Sequence, residues 1–180
     1  MGGEILPCCA EEIILADQEA YDNEKDGSGD IKPEYLTGNN IIIGSSSNVG
    51  KIPDASGGSV YGGYGDIKGS TVSDNHVTIH SGAIGVSVAG GCLDYQGDVF
   101  NNVVDIDGYG EVGIDGSFNG NTVVGNVSGG INIYEEMGDI KPSKIYGNVI
   151  NFSGGIIEAA SSAGWGTLYS RIDNNTFNIY

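Results

Sequence analysis

Positively charged residues are scarce in this chain, which has seven Lys and Arg residues against 24 Asp and Glu residues and a formal net charge of −17. Binding to phosphate backbones or to anionic lipid headgroups requires clustered cations. We therefore expect neither nucleic acid nor a membrane surface as a partner. Long apolar runs are also lacking, so this segment is not expected to insert into a membrane.

Cysteine is also scarce. The three cysteines, Cys8, Cys9 and Cys92, include two adjacent residues and cannot all pair within one chain. This argues against a disulfide framework and leaves the redox compartment open. The first basic residue is Lys25, so the apolar residues 13–15 are not preceded by the positive charge of a signal peptide. If the protein is secreted, this chain is expected to lack its signal.

The residues that are present predict a folded chain with two parts. A hydrophobic fraction of 39% with 17% charged residues is too apolar for a disordered acidic tail, despite 32 glycines. Residues 1–36 are rich in acids, and residues 11–21 lack Gly and Pro and have helical spacing of their apolar positions. We predict an acidic N-terminal segment over residues 1–36, with a short helix, that caps a domain formed by residues 37–180.

Short β-branched runs separated by Gly, Asn, Ser and Asp fill residues 37–180, and this pattern predicts an all-β fold. Within it, an Asn followed by alternating apolar positions recurs with an average period of about 27 residues. Clear copies begin at Asn75, Asn102, Asn148 and Asn175, and weaker copies at Asn40 and Asn121. Each copy is followed by a glycine break and a second apolar run.

This repeat predicts that each strand pairs with its own copy one repeat later. Equivalent strands stacked in parallel make a parallel β-helix, here of about five or six rungs, whereas a β-sandwich is the alternative. Side chains alternate between the two faces of a strand, so the inward positions can be read from the sequence. They form one core column: Val77, Ile79, Val104, Ile106, Ile150, Phe152, Phe177 and Ile179.

The recurrent Asn has two predicted roles in such a coil. Asn tolerates the left-handed backbone region that a residue between two strands often needs. Its amide can also bond to the amide one rung away. The glycines that follow each strand are interpreted as sharper corners with the same backbone requirement.

Three stretches carry a resemblance to a known family: Gly58-Ser-Val-Tyr-Gly-Gly-Tyr64, Asn75-His-Val-Thr-Ile-His-Ser-Gly82 and Asn148-Val-Ile-Asn-Phe-Ser-Gly-Gly155. They resemble repeats in the passenger regions of bacterial autotransporters and related surface adhesins. The resemblance covers residues 37–180 and implies a right-handed parallel β-helix outside the bacterial cell or on its surface. It also implies a non-catalytic module, either a segment of a longer protein or a small stand-alone relative, that presents a binding surface to a host-surface protein or a glycan.

The alternative function is that of a polysaccharide hydrolase or lyase, since enzymes with parallel β-helices often act on polysaccharides. Asp105 and Asp107 alternate on one predicted strand and share its outward face, so they are the candidate catalytic carboxylates. Arg171 is the single arginine, and the clustered Asp, Gly-His and Arg-x-Lys signatures of pectin-degrading enzymes are missing. We therefore expect no catalytic site.

His76, Thr78 and His80 share an outward face as well. Residues four apart on a strand are separated by about 13 Å, too far for His76 and His80 to bind one metal ion. We interpret both as exposed surface histidines.

Calcium is the only candidate cofactor, in a module that the ion would stabilise. Residues 22–34 resemble an EF-hand loop in which Asp22, Asp26 and Asp30 are candidate ligands, although no register of the motif is complete. A second candidate set comprises Asp105, Asp107 and Glu111.

Tyrosine is abundant in the repeats, and its rings could stack on sugars if they line one face. Stacking of the tyrosines on each other between rungs is the favoured prediction. The residues concerned are Tyr61, Tyr64, Tyr109, Tyr134, Tyr146 and Tyr169.

Overall fold

The structure is a computed structural model. It describes residues 3–5, 9–10, 12–14, 33–44, 48–49, 59–80, 83–84, 87–108, 111–112, 117–118, 121–122, 126–133, 142–157, 160–166 and 170–180. Over these ranges the chain is all-β and contains no helix, which confirms the predicted fold class at that level. No helix that could cross a membrane is found among the described residues.

The strands are numbered in chain order. The first half of the chain contributes β1 (Gly3–Ile5), β2 (Cys9–Ala10), β3 (Glu12–Ile14), β4 (Tyr35–Thr37), β5 (Asn40–Ile43), β6 (Asn48–Val49), β7 (Ser59–Tyr61), β8 (Tyr64–Gly65), β9 (Thr71–Ser73), β10 (His76–His80), β11 (Ala83–Ile84) and β12 (Ser87–Leu93). The second half contributes β13 (Asp98–Phe100), β14 (Val103–Asp107), β15 (Glu111–Val112), β16 (Ser117–Phe118), β17 (Asn121–Thr122), β18 (Asn126–Asn132), β19 (Ser143–Tyr146), β20 (Val149–Phe152), β21 (Ile156–Ile157), β22 (Ala160–Gly166), β23 (Ser170–Asp173) and β24 (Thr176–Ile179).

Twenty-two of these strands build four parallel sheets that the chain visits in turn, and β16 and β17 form a separate antiparallel pair. Sheet A has the order β1-β5-β10-β14-β20-β24, and sheet B has the order β2-β6-β11-β15-β21. Sheet C has the order β22-β18-β12-β7-β3, with β8 also paired to β12, and sheet D has the order β23-β19-β13-β9-β4. Apart from β7 and β8, which both lie in sheet C, and β16 and β17, which pair with each other, consecutive strands lie in different sheets, and each strand pairs with its counterpart one turn of the chain away. This stack of parallel strands is compatible with a parallel β-helix.

The core follows from the alternation of side chains along these strands. In strand β10, half-buried or exposed positions alternate with buried ones, and its inward residues Val77 and Ile79 are fully buried. The cluster of buried residues between the sheets includes Val77, Ile79, Val104, Ile106 and Ile150, with Phe152 packed against it. Six of the eight predicted core positions are therefore confirmed.

The last two predicted core positions are exposed. Phe177 is 37% exposed and Ile179 is 70% exposed. They occupy inward positions in register with Ile150 and Phe152, but they lie on β24, the outermost strand of sheet A. No described strand covers the far side of β24. The alternation of inward and outward side chains therefore predicts more burial for Phe177 and Ile179 than the structure shows.

A ladder of asparagine amides runs along the stack. The Nδ2 atoms of Asn39, Asn75, Asn102 and Asn148 each donate to the Oδ1 atom of the next ladder residue at 2.9 Å, and Asn175 accepts the last of these bonds. The backbone N–H of each donor residue bonds to the same oxygen, at 3.0–3.1 Å. This confirms the predicted amide ladder, except that Asn39 rather than Asn40 belongs to it.

The left-handed backbone lies one position earlier than predicted. Five residues with positive φ, Gly38, Asp74, Asn101, Gly147 and Asn174, each directly precede a ladder asparagine. The glycines Gly69, Gly108 and Gly155 also have positive φ, and Gly108 and Gly155 follow β14 and β20, as predicted for the glycine corners. These residue types tolerate that region at low cost. The ladder asparagines are therefore selected for their amides and not for their backbone conformation.

Two further predictions about the repeat are wrong. Gly129 and Gly130, interpreted as a break, lie inside strand β18, where a Cβ on Gly130 would come within 3 Å of the Asn148 amide. The weak copy at Asn121 belongs to β17, which pairs antiparallel with β16 outside the stack. The chain between Asn102 and Asn148 is thus one long turn of 46 residues.

The predicted helix over residues 11–21 is wrong where the structure describes it. Residues Glu12–Ile14 form β3, which pairs in parallel with β7. The β-branched Ile13 and Ile14 suit a strand, and pairing with a neighbouring strand outweighs helical spacing in such a short segment. The rest of the predicted helix lies outside the described residues.

Candidate functional site

The two carboxylates that the sequence indicates as catalytic candidates lie on the outer face of sheet A. The Oδ2 atom of Asp105 lies 2.5 Å from Nε2 of His76, and its Oδ1 atom accepts a hydrogen bond of 2.7 Å from Nδ2 of Asn151. The Oδ1 atom of Asp107 lies 2.5 Å from Nδ1 of His80. Each carboxylate is therefore held by side chains from neighbouring turns.

The register of β10 and β14 explains these pairs. Thr78 is opposite Asp105 and His80 is opposite Asp107, so both histidines come within reach of an aspartate on the adjacent strand. Distances along a single strand do not reveal either partner, because both pairs form between strands. The pairs are on the surface, since the side chains of His76 and His80 are 44% and 61% exposed.

The candidate calcium ligands are only partly described. Asp22, Asp26 and Asp30 lie outside the described residues, as does the side chain of Glu111. Within the described ranges, no group of three or more His, Cys, Asp or Glu side chains could hold a metal ion. Calcium binding therefore stays a prediction.

A second group of candidate side chains lies on the outer face of sheet D. The rings of Phe100 and Tyr146 stack with centroids 4.8 Å apart and planes 8° apart. The two residues are in register on β13 and β19, so their rings stack from one turn to the next. Beside Tyr146 is an open depression of about 240 Å³ lined by Lys144, Tyr146, Arg171, Asp173 and Asn174.

The charges at this depression are balanced. Lys144 and Arg171 are opposite each other in the register of β19 and β23. Lys144 Nζ lies 3.9 Å from Asp98 Oδ2, and the Arg171 guanidinium pairs with Asp173. All four side chains are more than a third exposed, so these ion pairs add little to stability. Of these four side chains, those of Lys144, Arg171 and Asp173 line the depression.

The hydroxyl of Tyr146 stays protonated at neutral pH. Burial raises its pKa above the ordinary value, and the carboxylates of Asp98 and Asp74 raise it further. A neutral phenol can donate a hydrogen bond as well as accept one. Tyr146 therefore offers both an aromatic face and a polar group.

The tyrosines do not form the predicted stack of tyrosine on tyrosine between rungs among the described residues. Tyr61 and Tyr64 contact each other within one turn, with ring centroids 5.7 Å apart and a tilt of 40°. Tyr64 also donates a hydrogen bond of 2.5 Å to Asp94 Oδ2. Burial is the main cause of the raised pKa of Tyr64, and the bond to Asp94 adds to it. Tyr109, Tyr134 and Tyr169 lie outside the described residues.

Comparison of the chain with protein-family models, with curated proteins and with solved structures finds no match. Its function is therefore argued from its own residues.

Proposed function

We propose that this chain is a non-catalytic, extracellular repeat module of a bacterial surface protein, and that the outer face of sheet D binds a glycan. The supporting observation is the open depression beside the stacked rings of Phe100 and Tyr146. Aromatic faces surrounded by a few fixed polar groups suit ligands that have both apolar and hydroxyl-bearing surfaces. The autotransporter-like repeats supply the proposed location and the binding role.

A glycan fits this surface better than a host-surface protein. Stable protein interfaces bury about 800 Å² on each partner around an apolar centre. The depression has a volume of only about 240 Å³, and four of its five lining residues are polar or charged. A ligand of one or two sugar rings matches these dimensions.

Binding without turnover is the expected result when the chain is incubated with a panel of neutral and acidic oligosaccharides. Retention would be measured on a glycan array, and cleavage by release of new reducing ends or unsaturated products. Asp105→Ala is the matched control, because it changes sheet A and leaves sheet D intact. We expect it to bind as the unmodified chain does. Cleavage that Asp105→Ala abolishes would instead identify the alternative, a carbohydrate-active enzyme.

The proposed architecture is a right-handed coil whose acidic N-terminal segment covers its first turn. Right-handed connections between parallel strands are the rule, for steric reasons. Strands β1, β2, β3 and β4 pair with β5, β6, β7 and β9, which supports a covering role for residues 1–36.

Deletion of residues 1–36 is expected to lower solubility, since it uncovers the edges of β5, β6, β7 and β9. Unpaired strand edges are templates for association with other chains. The soluble fraction and the elution volume on size exclusion would measure this effect. A deletion variant that stays soluble and elutes as an unchanged monomer would contradict the capping role.

A further inference from the structure

The outward side chains of sheet D form a column that is aromatic for only two turns. In register, this column contains Thr37, Ser73, Phe100, Tyr146 and Asp173. The ring of Phe100 covers one face of the Tyr146 ring at a distance of 4.8 Å, which is the spacing of neighbouring strands. Asp173 follows Tyr146 in the column and has no ring, so no third aromatic ring continues the stack.

The depression lies where that third ring would be. Its lining residues come from β19 and from the turn after it, namely Lys144, Tyr146, Arg171, Asp173 and Asn174. A ligand ring placed there would stack on Tyr146 as the tyrosine stacks on Phe100. Donors and acceptors from Arg171, Asp173 and Asn174 would surround its edge.

A pyranose matches this combination of surfaces. One face of such a ring presents C–H groups that pack on an aromatic plane, while its hydroxyls project around the rim and both donate and accept hydrogen bonds. A purely apolar ligand would leave the polar lining unsatisfied, which costs free energy.

The charges favour a neutral sugar over an acidic one. Lys144 and Arg171 already have carboxylate partners in Asp98 and Asp173, so the formal charge of these four groups is zero. The chain as a whole carries a formal net charge of −17, which repels anions. A carboxylated sugar would therefore find no uncompensated cation among the residues that line the depression.

We propose that a neutral pyranose stacks on Tyr146 beside Asp173, as the third ring after those of Phe100 and Tyr146. This proposal rests on the glycan-binding function proposed above. Arg171, Asp173 and Asn174 bond to its hydroxyls. The terminal residue of a neutral oligosaccharide is the ligand that this site accepts.

Tyr146→Ala is expected to weaken the binding of neutral oligosaccharides about tenfold or more, because it removes the stacking surface. The matched control is Tyr35→Ala, which removes an aromatic side chain from the same sheet face. Tyr35 is 77% exposed and lies on β4, at the other edge of sheet D. We expect its replacement to change affinity by less than about twofold. Isothermal titration calorimetry with neutral and uronic-acid tetrasaccharides would measure both.

Asp173→Phe tests the same site without shortening Tyr146. A phenylalanine ring at that position would extend the column and fill the depression, so binding should fall by about tenfold or more. An unfolding midpoint near that of the unmodified chain would show that this variant is folded.

The outcomes separate the site from the function. If neutral oligosaccharides bind equally well to both variants and to the unmodified chain, the site is wrong although the chain remains a glycan-binding module. If only uronic-acid tetrasaccharides bind, the proposed ligand class is wrong. If the unmodified chain binds no glycan, the proposed function falls together with the site.

Discussion

Asn102→Ala is expected to lower the free energy of unfolding by about 3–5 kcal/mol, because it removes four hydrogen bonds from a buried ladder. The Oδ1 atom of Asn102 accepts bonds from the backbone N–H and from the Nδ2 group of Asn75. Its Nδ2 group donates to Asn148 Oδ1 and to the backbone oxygen of Val72. The amide thus makes all four of the bonds available to it.

The loss is large because the former partners stay buried. Asn75, Asn102 and Asn148 have no solvent-exposed surface. In the alanine variant, the backbone N–H and the Nδ2 group of Asn75 lose the oxygen that accepted their bonds, and no water reaches them. A buried polar group that loses its partner costs about 1–3 kcal/mol. The methyl group of alanine cannot restore any of these bonds.

Asn151→Ala is the matched control for this prediction. Asn151 lies on the outer face of β20, where it bonds to Asp105 and accepts a bond from Asn178. Water can replace these bonds, so we expect a loss of less than about 1 kcal/mol. Chemical denaturation followed by circular dichroism would give both values. A loss for Asn102→Ala that is no larger than the loss for Asn151→Ala would refute a structural role for the ladder.

The parallel stacking of the strands was predictable because the ladder residue is the same amino acid in several turns. The interval of 27 residues between Asn75 and Asn102, and again between Asn148 and Asn175, gives the register of the strands that follow. The same interval places His80 opposite Asp107, so the sequence contained the signal for that pair. The register of Phe100 with Tyr146 could not be predicted from the 27-residue period, because the turn after Asn102 has 46 residues. The extra residues of this turn include an antiparallel hairpin.

The surface on sheet D that we propose for glycan binding is harder to predict from the sequence. Its strands are short, and β19 and β23 have the sequences Ser-Lys-Ile-Tyr and Ser-Arg-Ile-Asp, which contain no repeated functional residue. Their outward side chains differ from turn to turn, as expected where only the inward positions are constrained by the core. Tyr146 is one of ten tyrosines in the sequence, and its neighbours depend on pairings across turns of different length.

The second large effect is expected for Gly130→Ala, which should lower the free energy of unfolding by about 3 kcal/mol. A Cβ atom at this position would lie 2.6 Å from Nδ2, 2.7 Å from Cγ and 2.9 Å from Oδ1 of Asn148. Real Cβ atoms do not approach other heavy atoms so closely. The Asn148 amide cannot move away, because it bonds to Asn175 and to the backbone oxygen of Val99.

Gly38→Ala distinguishes this steric effect from backbone strain. Gly38 has a φ of +74°, but no atom lies within 4 Å of the position that its Cβ would take. We expect a loss of about 1–2 kcal/mol from the left-handed backbone alone. Thermal or urea unfolding of both variants would compare the two causes.

A double-mutant cycle between Gly130→Ala and Asn148→Ala tests whether the glycine is required by the ladder itself. Replacement of Asn148 by alanine removes all three of the atoms that a Cβ on Gly130 would meet. The cost of Gly130→Ala should therefore fall by at least about 1 kcal/mol in the Asn148→Ala background, since contacting residues show coupling of this size. Additive losses would mean that the strand and the ladder do not constrain each other. A strong coupling would explain why glycine stands opposite a ladder amide at Gly63, Gly91, Gly130 and Gly164.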